Sequence, residues 1–266
     1  MKSHQPFESF DVSLKTPAGL LEGTVKVPDQ IIPITDIVPL FRSFGERVMS
    51  LEEEKCRSSG ETISCRKGCA SCCRMMVPVS PPEAFRLRKT ITHLPESQQG
   101  QIRERIATIK TALLDNGLLF PLQELGESTL QKSDHDIEPL NQAYYSLRLP
   151  CPFLENEVCS IYEDRPAACR ELLVTSPAEL CQDLTANPIH ALPVHLRIGT
   201  VLSLLWKDLT EGPARLIPLP LALDWAERHS GEDTLAWNGP QLLEKGMNQM
   251  WAYLNQSPSP PSKNEE

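Results

Sequence analysis

Apolar and polar residues alternate twice near the start of the chain, in Phe10-Asp11-Val12-Ser13-Leu14 and in Leu21-Glu22-Gly23-Thr24-Val25-Lys26-Val27, with Pro17-Ala18-Gly19 between them. A period of two belongs to a half-buried strand, and Pro-Ala-Gly is turn chemistry, so residues 10–28 are predicted to form a β-hairpin. From about Asp36 the period lengthens. Ile37, Leu40, Phe41, Phe44, Val48 and Leu51 fall at helical spacing as far as Glu54, and Arg57 to Gly60 reads as a loop. Ser80-Pro81-Pro82-Glu83 is a helix start: serine caps, proline suits the first turn, and the glutamate completes a capping box. That helix is predicted to run through Phe85 and Leu87 to about His93. A second, Glu96 to Asn116, carries Ile102, Ile106, Ile109, Leu113 and Leu114, with Gly117 just past its end. Residues 118–148 read as helical with breaks, and further helices are expected near 196–209, 219–229 and 240–255.

These elements predict a mostly α fold with a short N-terminal β-hairpin and a cysteine-cluster metal site between helices and loops. The expected layout is a flexible N-terminus (1–9), a hairpin plus helix (10–55), a cysteine-cluster domain (56–181), a helical C-terminal part packed on the same core (182–256), and a disordered tail (257–266). The tail is proline-rich and polar, which is a composition that cannot build a core. No repeat at a solenoid period, no glycine-rich phosphate or dinucleotide loop and no Gly-x-Ser-x-Gly is found. Trp206, Trp225, Trp237 and Trp251 are expected to pack in the core, and His93, His135, His190, His195 and His229 are too scattered to suggest ligands.

Composition narrows the function classes. With 266 residues, 40% of them hydrophobic, the chain can bury a core without staples. A net charge of −9 argues against a nucleic-acid binder and against docking on anionic membranes. No stretch approaches the roughly 20 apolar residues of a membrane-spanning helix, and Met1 to Phe10 has no apolar run of the signal-peptide kind. The expected location is therefore the cytoplasm. Reducing compartments disfavour disulfides, so the nine cysteines read as metal ligands or redox groups, and an odd number fits a complete disulfide set poorly.

Seven of those cysteines fall in two groups. In the first, Cys65-Arg66-Lys67-Gly68-Cys69-Ala70-Ser71-Cys72-Cys73, four of nine residues are cysteine, a density an ordinary core seldom shows. On a helix, Cys69, Cys72 and Cys73 would sit about +40°, −20° and +80° from Cys65, all on one face. In a loop, Cys69-x-x-Cys72 is the spacing of a metal-binding turn, and Gly68 eases a tight backbone path. Both geometries gather thiols. The second group holds Cys151, Cys159 and Cys169. Phe153, Leu154, Ile161 and Tyr162 are suited to wall a site against water, with Tyr162 as a lid. Asp164 is placed to cap a short helix near Arg165-Pro166 that would carry Cys169. Arg66, Lys67, Arg74, Arg165 and Arg170 flank these cysteines in an otherwise acidic chain. A four-thiolate zinc site or a [4Fe–4S]²⁺ cluster with four thiolates is formally −2, and such neighbours steady it. Cys56 and Cys181 lie outside the pattern and read as unligated thiols, and Glu171 reads as a surface or salt-bridge residue.

Gly68-Cys69-Ala70-Ser71-Cys72-Cys73, followed about 80 residues later by Cys151-Pro152-Phe153-Leu154, Cys159-Ser160-Ile161-Tyr162 and Arg165-Pro166-Ala167-Ala168-Cys169-Arg170, resembles the YkgJ-like or CxxCxxCC cysteine-cluster family of zinc- or iron-chelating proteins. The resemblance covers roughly residues 62–174. One departure is Cys65, which is separated from Cys69 by three residues where the family's name implies two. The resemblance implies metal binding by Cys65, Cys69, Cys72, Cys73, Cys151, Cys159 and Cys169. A branch of the wider family resembles flagellin lysine-N-methylases, so it also allows a metal-dependent enzyme such as a protein lysine methyltransferase; nothing beyond the cysteines points to that activity.

All-thiolate sites suit zinc or iron–sulfur chemistry and do not suit magnesium or calcium. Seven cysteines exceed one four-ligand site. They allow one site plus bystanders, a cluster with three spare thiols, or two sites sharing a neighbourhood. Three functions stay in view: a metal-binding protein without catalysis, an enzyme with its metal near the substrate, and a redox-sensing module whose helices dock a protein partner. An enzyme would present a pocket beside the metal with polar groups from residues 180–255. The first reading leads, with zinc or iron, including a [4Fe–4S] cluster, as the bound group.

Overall fold

The structure, a computed structural model, describes residues 6–128, 133–184 and 186–256. The alternating segments form a hairpin of β1 (Phe7–Thr16) and β2 (Gly19–Pro28), paired antiparallel from Phe7↔Pro28 to Thr16↔Gly19. Val12 and Leu14 on β1, and Leu21, Val25 and Val27 on β2, point to the core. The strand begins at Phe7, so Phe7 to Ser9 belong to the sheet rather than to a flexible N-terminus. Their side chains are exposed, and backbone pairing needs no burial, so alternation alone could not reveal them. The rest of the N-terminus assigned to flexibility, residues 1–5, and the tail 257–266 lie outside the described residues.

After β3 (Ile31–Pro33), α1 spans Val38–Ser58 and so includes Arg57 and Ser58, which the sequence placed in a loop. Two local bonds extend it: Arg57 pairs with Glu53 one turn back at 2.7 Å, and Ser58 Oγ donates to the Glu54 carbonyl at 2.7 Å. The remaining elements are β4 (Pro78–Val79), α2 (Pro81–Thr92), α3 (Glu96–Asp115), α4 (Leu119–Glu127), α5 (Asp134–Ser146), β5 (Leu154–Glu155), β6 (Val158–Cys159), α6 (Ala168–Glu171), α7 (Ile198–Thr210), β7 (Ile217–Pro218), α8 (Ala222–Arg228), β8 (Ala236–Asn238) and α9 (Gly239–Gln256). The capping box at α2 is formed, with the Ser80 N–H donating to Glu83 Oε2 at 3.3 Å. Short ladders β3–β8 and β4–β7 tie distant parts of the chain together.

The helices enclose one apolar core. Phe85 of α2 lies 5.6 Å from Trp206 of α7 and 5.3 Å from Trp225 of α8, ring centre to ring centre, and Phe41 meets Phe44 edge-on at 6.0 Å. Residues from Val12 to Met250 share this core, so α7, α8 and α9 pack on the same interior as α1 and α2. Trp206 and Trp225 are buried as expected, but Trp251 is 43% exposed. On α9 the inward positions are taken by Leu242, Leu243 and Met250, which turns the next residue, Trp251, outward. Among the described residues no helix is long and apolar enough to cross a membrane.

Candidate metal centre

The first cysteine group is not one helix. It is a turn followed by a 3₁₀ segment, Ser71–Arg74. The Cys69 N–H donates to the Arg66 carbonyl at 3.0 Å, and Gly68 completes this turn at φ +89°, a backbone conformation glycine adopts without strain. The Cys73 N–H then donates to the Ala70 carbonyl at 3.0 Å. Of the two geometries the spacing allowed, the loop is the one adopted. A 3₁₀ segment advances about 120° per residue, so neighbouring Cys72 and Cys73 are not driven to opposite faces as they would be in a strand.

The second group is docked directly on the first. The Cys151 N–H donates to the Cys73 carbonyl at 2.8 Å, joining segments that lie far apart in the chain. The chain then folds back as the β5–β6 hairpin, whose two turn residues, Asn156 (φ 49°) and Glu157 (φ 61°), both lie in the left-handed region that a two-residue hairpin turn needs. Asparagine tolerates this and glutamate does so less readily. Here Arg74 grips the Glu157 carboxylate with both guanidinium nitrogens, at 2.7 and 3.2 Å. The hairpin sets Cys159 opposite Leu154. Cys169 lies on α6. Asp164 does not cap that helix, because it belongs to a separate 3₁₀ turn, Tyr162–Asp164. The N–H of Ala167, at the start of α6, donates instead to Glu83 Oε1 at 2.8 Å, and the Asp164 carbonyl accepts from Arg42 Nη1 at 3.2 Å.

Cys69, Cys72, Cys73, Cys151, Cys159 and Cys169 line one cavity of about 530 Å³, and Tyr162 lines it too. Cys65 stands apart from that wall. Its sulfur accepts the Val174 N–H at 3.4 Å, which ties it to the chain just beyond the second group. Cys181 is buried on the 3₁₀ segment Ala178–Gln182, which packs against Ser71–Arg74. Cys56 packs separately with Met49 and Leu192. All nine cysteines are free thiols. Among the described residues, no three histidine, cysteine, aspartate or glutamate side chains are already gathered tightly enough to grip an ion. The thiols therefore line a shared space without meeting at a point.

Three charged side chains on helices hold the cysteine loops in place, and the sequence pattern did not single them out for this. Arg42 of α1 and Glu83 of α2 form a buried pair at 3.6 Å, and each also bonds the backbone between Cys159 and Cys169. Arg105 of α3 donates to the Pro152 carbonyl at 2.7 Å, next to Cys151, and pairs with Glu155 at 2.6 Å. Glu83 was legible as a capping residue. Its second oxygen, which reaches residue 167, was not. Glu171, expected at the surface or in a salt bridge, is nine-tenths buried and accepts the Ile198 N–H at 2.9 Å, bracing α6 against the start of α7.

Residues 64–185 match the family described as "Putative zinc- or iron-chelating domain", CxxCxxCC. No curated protein and no solved structure matches the chain.

Within the matched segment the thiols sense one another. Burial pushes the Cys169 thiol well above its ordinary pKa, and the nearby Cys151, Cys72 and Cys159 raise it further. Burial takes Cys151 up to about 12, with Cys159 and Cys72 adding to the rise. Contact with the Cys73 side chain is the main cause of the rise at Cys72, followed by burial. Burial also raises Cys159. Cys72, Cys151, Cys159 and Cys169 thus form one electrostatic neighbourhood. Arg165, stacked on Tyr162 at 3.8 Å, opposes the rise at three of them: Cys72, Cys159 and Cys169. Cys65 and Cys181, each raised chiefly by burial, both feel Cys69 and Cys72 as well. Four thiols this close resist ionising together, and a metal cation removes that penalty by replacing their protons. Burial likewise lifts the Glu171 carboxyl to about 7, with Glu83 adding to it, while the Ile198 N–H and Arg197 pull it back.

Proposed function

We propose that the CxxCxxCC domain is a metal-binding module that holds an iron–sulfur cluster on thiolates drawn from Cys72, Cys151, Cys159 and Cys169, with Cys69, Cys73 and Cys65 as the remaining donors of the set. The observation that carries this reading is the Cys151–Cys73 backbone hydrogen bond of 2.8 Å, which makes one thiol-lined wall from two sequence groups. The donor chemistry supports it: among the described residues the cavity is lined by six cysteines and by no histidine, a soft set suited to zinc or iron–sulfur centres. The cavity, of about 530 Å³, has room for a centre of several atoms. Once bound, the cluster would supply one-electron or Lewis-acid chemistry. Nine free thiols and the acidic charge support a cytoplasmic location.

The test is purification without oxygen, followed by a visible spectrum and quantification of iron, zinc and acid-labile sulfide per chain. Absorbance near 400 nm with several irons and matching sulfide is expected. One zinc with no sulfide would replace the cluster by a closed zinc site, and protein devoid of metal would overturn metal binding itself.

One observation favours an enzyme as the second reading. Part of the cavity lining, Arg197, Thr200, Leu216 and Leu219, lies beyond the matched segment and brings polar groups to the thiol-lined space. Under that reading the protein acts on a substrate next to its metal, as a methyltransferase related to the flagellin lysine-N-methylases would. Binding of S-adenosylmethionine, followed by equilibrium dialysis of the metal-loaded protein, separates the two readings.

A further inference from the structure

The cavity lining holds two kinds of side chain: the thiols, and an apolar set that includes Met75, Met76, Leu216 and Leu219, with Glu171 and Arg197 among them. A volume of about 530 Å³, mainly apolar with a few polar groups, is the ordinary description of a small-molecule site. The two charges are Glu171 and Arg197. Glu171 is nine-tenths buried, and one of its oxygens, Oε1, is occupied by the Ile198 N–H. Arg197 immediately precedes α7 and forms no ion pair among the described residues. The Glu171–Ile198 bond sets the carboxyl against the residue next to Arg197 in the chain. The other charged residues on the lining, Glu157 and Arg165, are engaged elsewhere, by Arg74 and by the Tyr162 ring. Gly199 and Thr200 of the first turn of α7 also line the cavity, so the positive end of a 13-residue helix faces it beside Arg197.

A carboxyl and a guanidinium that both line a mainly apolar space, linked through the Glu171–Ile198 bond, complement a ligand with both charges on neighbouring atoms. A lone anion would meet the Glu171 carboxyl. A lone cation would meet Arg197 and the helix N-terminus. We propose that the cavity binds a small zwitterion of the α-amino-acid type, its ammonium on Glu171, its carboxylate toward Arg197 and the start of α7, and its apolar remainder among the thiols and the apolar side chains of the lining. This rests on the enzyme reading of the cavity and is independent of which metal the thiols hold.

The probe is L-norleucine, compared by calorimetric titration with n-pentylamine and n-hexanoate, which keep the chain and carry one charge each. The full-length protein is used as purified without oxygen and again after chelation, with metal content measured each time. L-Norleucine is expected to bind at least tenfold more tightly than either single-charge compound. Glu171→Gln, whose amide oxygen still accepts the Ile198 N–H, and Arg197→Gln at an exposed position should each weaken it at least tenfold at unchanged metal content. If Glu171→Gln does not fold, Arg197→Gln alone decides. Absence of binding in both preparations, equal binding of n-pentylamine, or undiminished binding by the Arg197 variant overturns the proposal. A metal-free protein that still binds L-norleucine would sink the metal reading and leave this one standing.

Discussion

The helical core and the cysteine layer of this chain are held together by different means. Around Phe85, Trp206 and Trp225 the helices are long and their inward faces apolar, and the rings pack at 5.3 to 5.6 Å. Nothing there calls for a ligand. The cysteine layer is built from turns, two-residue strands and a four-residue helix, with its lining thiols half-buried around a cavity. Its loops are anchored to the helices by Arg42, Glu83 and Arg105. The difference teaches that the core supplies the stability and the cysteine layer is positioned by it. Substitutions in the two regions should therefore separate folding from metal retention.

The largest expected effect is at the centre of the core. Phe85→Ala should cost about 3–5 kcal/mol, as large-to-small changes at buried aromatics do, and metal should be lost together with the fold in one denaturant transition. Glu83→Ala strikes the boundary between the regions. It leaves the Arg42 guanidinium buried without its partner and releases the Ala167 N–H, so about 3 kcal/mol is expected, with metal occupancy falling in protein that is still folded. If occupancy is unchanged, the anchor has no bearing on the site.

Two smaller effects sharpen the comparison. Gly246 of α9 sits against the Phe41 ring, and a Cβ there would come within 1.9 Å of its Cζ. Overpacking costs about 1–3 kcal/mol, against roughly 1 kcal/mol of helix propensity gained by alanine. Gly246→Ala should therefore lower the melting temperature modestly and leave metal content untouched. At the other extreme, Cys72→Ser should abolish metal binding while changing the stability of the metal-free protein by less than about 1 kcal/mol. Hydrogen exchange should then speed up across residues 64–75 and 150–174 and stay slow in α2, α7 and α8. Uniform speeding would mean that the metal holds the whole fold, and the contrast between the regions would fail.

The same contrast explains what could be read before the structure was known. The helices from Ile37 to Met250 were legible because a 3.6-residue period of large apolar residues repeats for several turns, and Ser80 to Glu83 marked a start in its own right. The hairpin was legible only where one face is buried, so Phe7 to Ser9 escaped. In the cysteine layer, residue identity carried the signal and geometry did not. The spacing of Cys65 to Cys73 fitted helix and loop alike. Gly68 was the residue that favoured the loop the chain adopts. Nothing local announced that Glu83 would reach Ala167, that Arg105 would hold Pro152, or that Glu171 would be buried under α7, because each is a long-range bond from a side chain whose type is common at surfaces. Asp164 was misplaced for the same reason: a distant carboxylate took the capping role that a neighbour was expected to fill.

The central claim is that two separated cysteine groups form one metal centre, and metal analysis of the wild type beside Cys151→Ser tests it most directly. Cys151 belongs to the second group yet is bonded through its backbone to Cys73 of the first, and that bond survives the substitution. The account predicts iron and matching sulfide in the wild type and their loss in Cys151→Ser with the helical fold intact. Equal metal in both proteins, or none in the wild type, would contradict it.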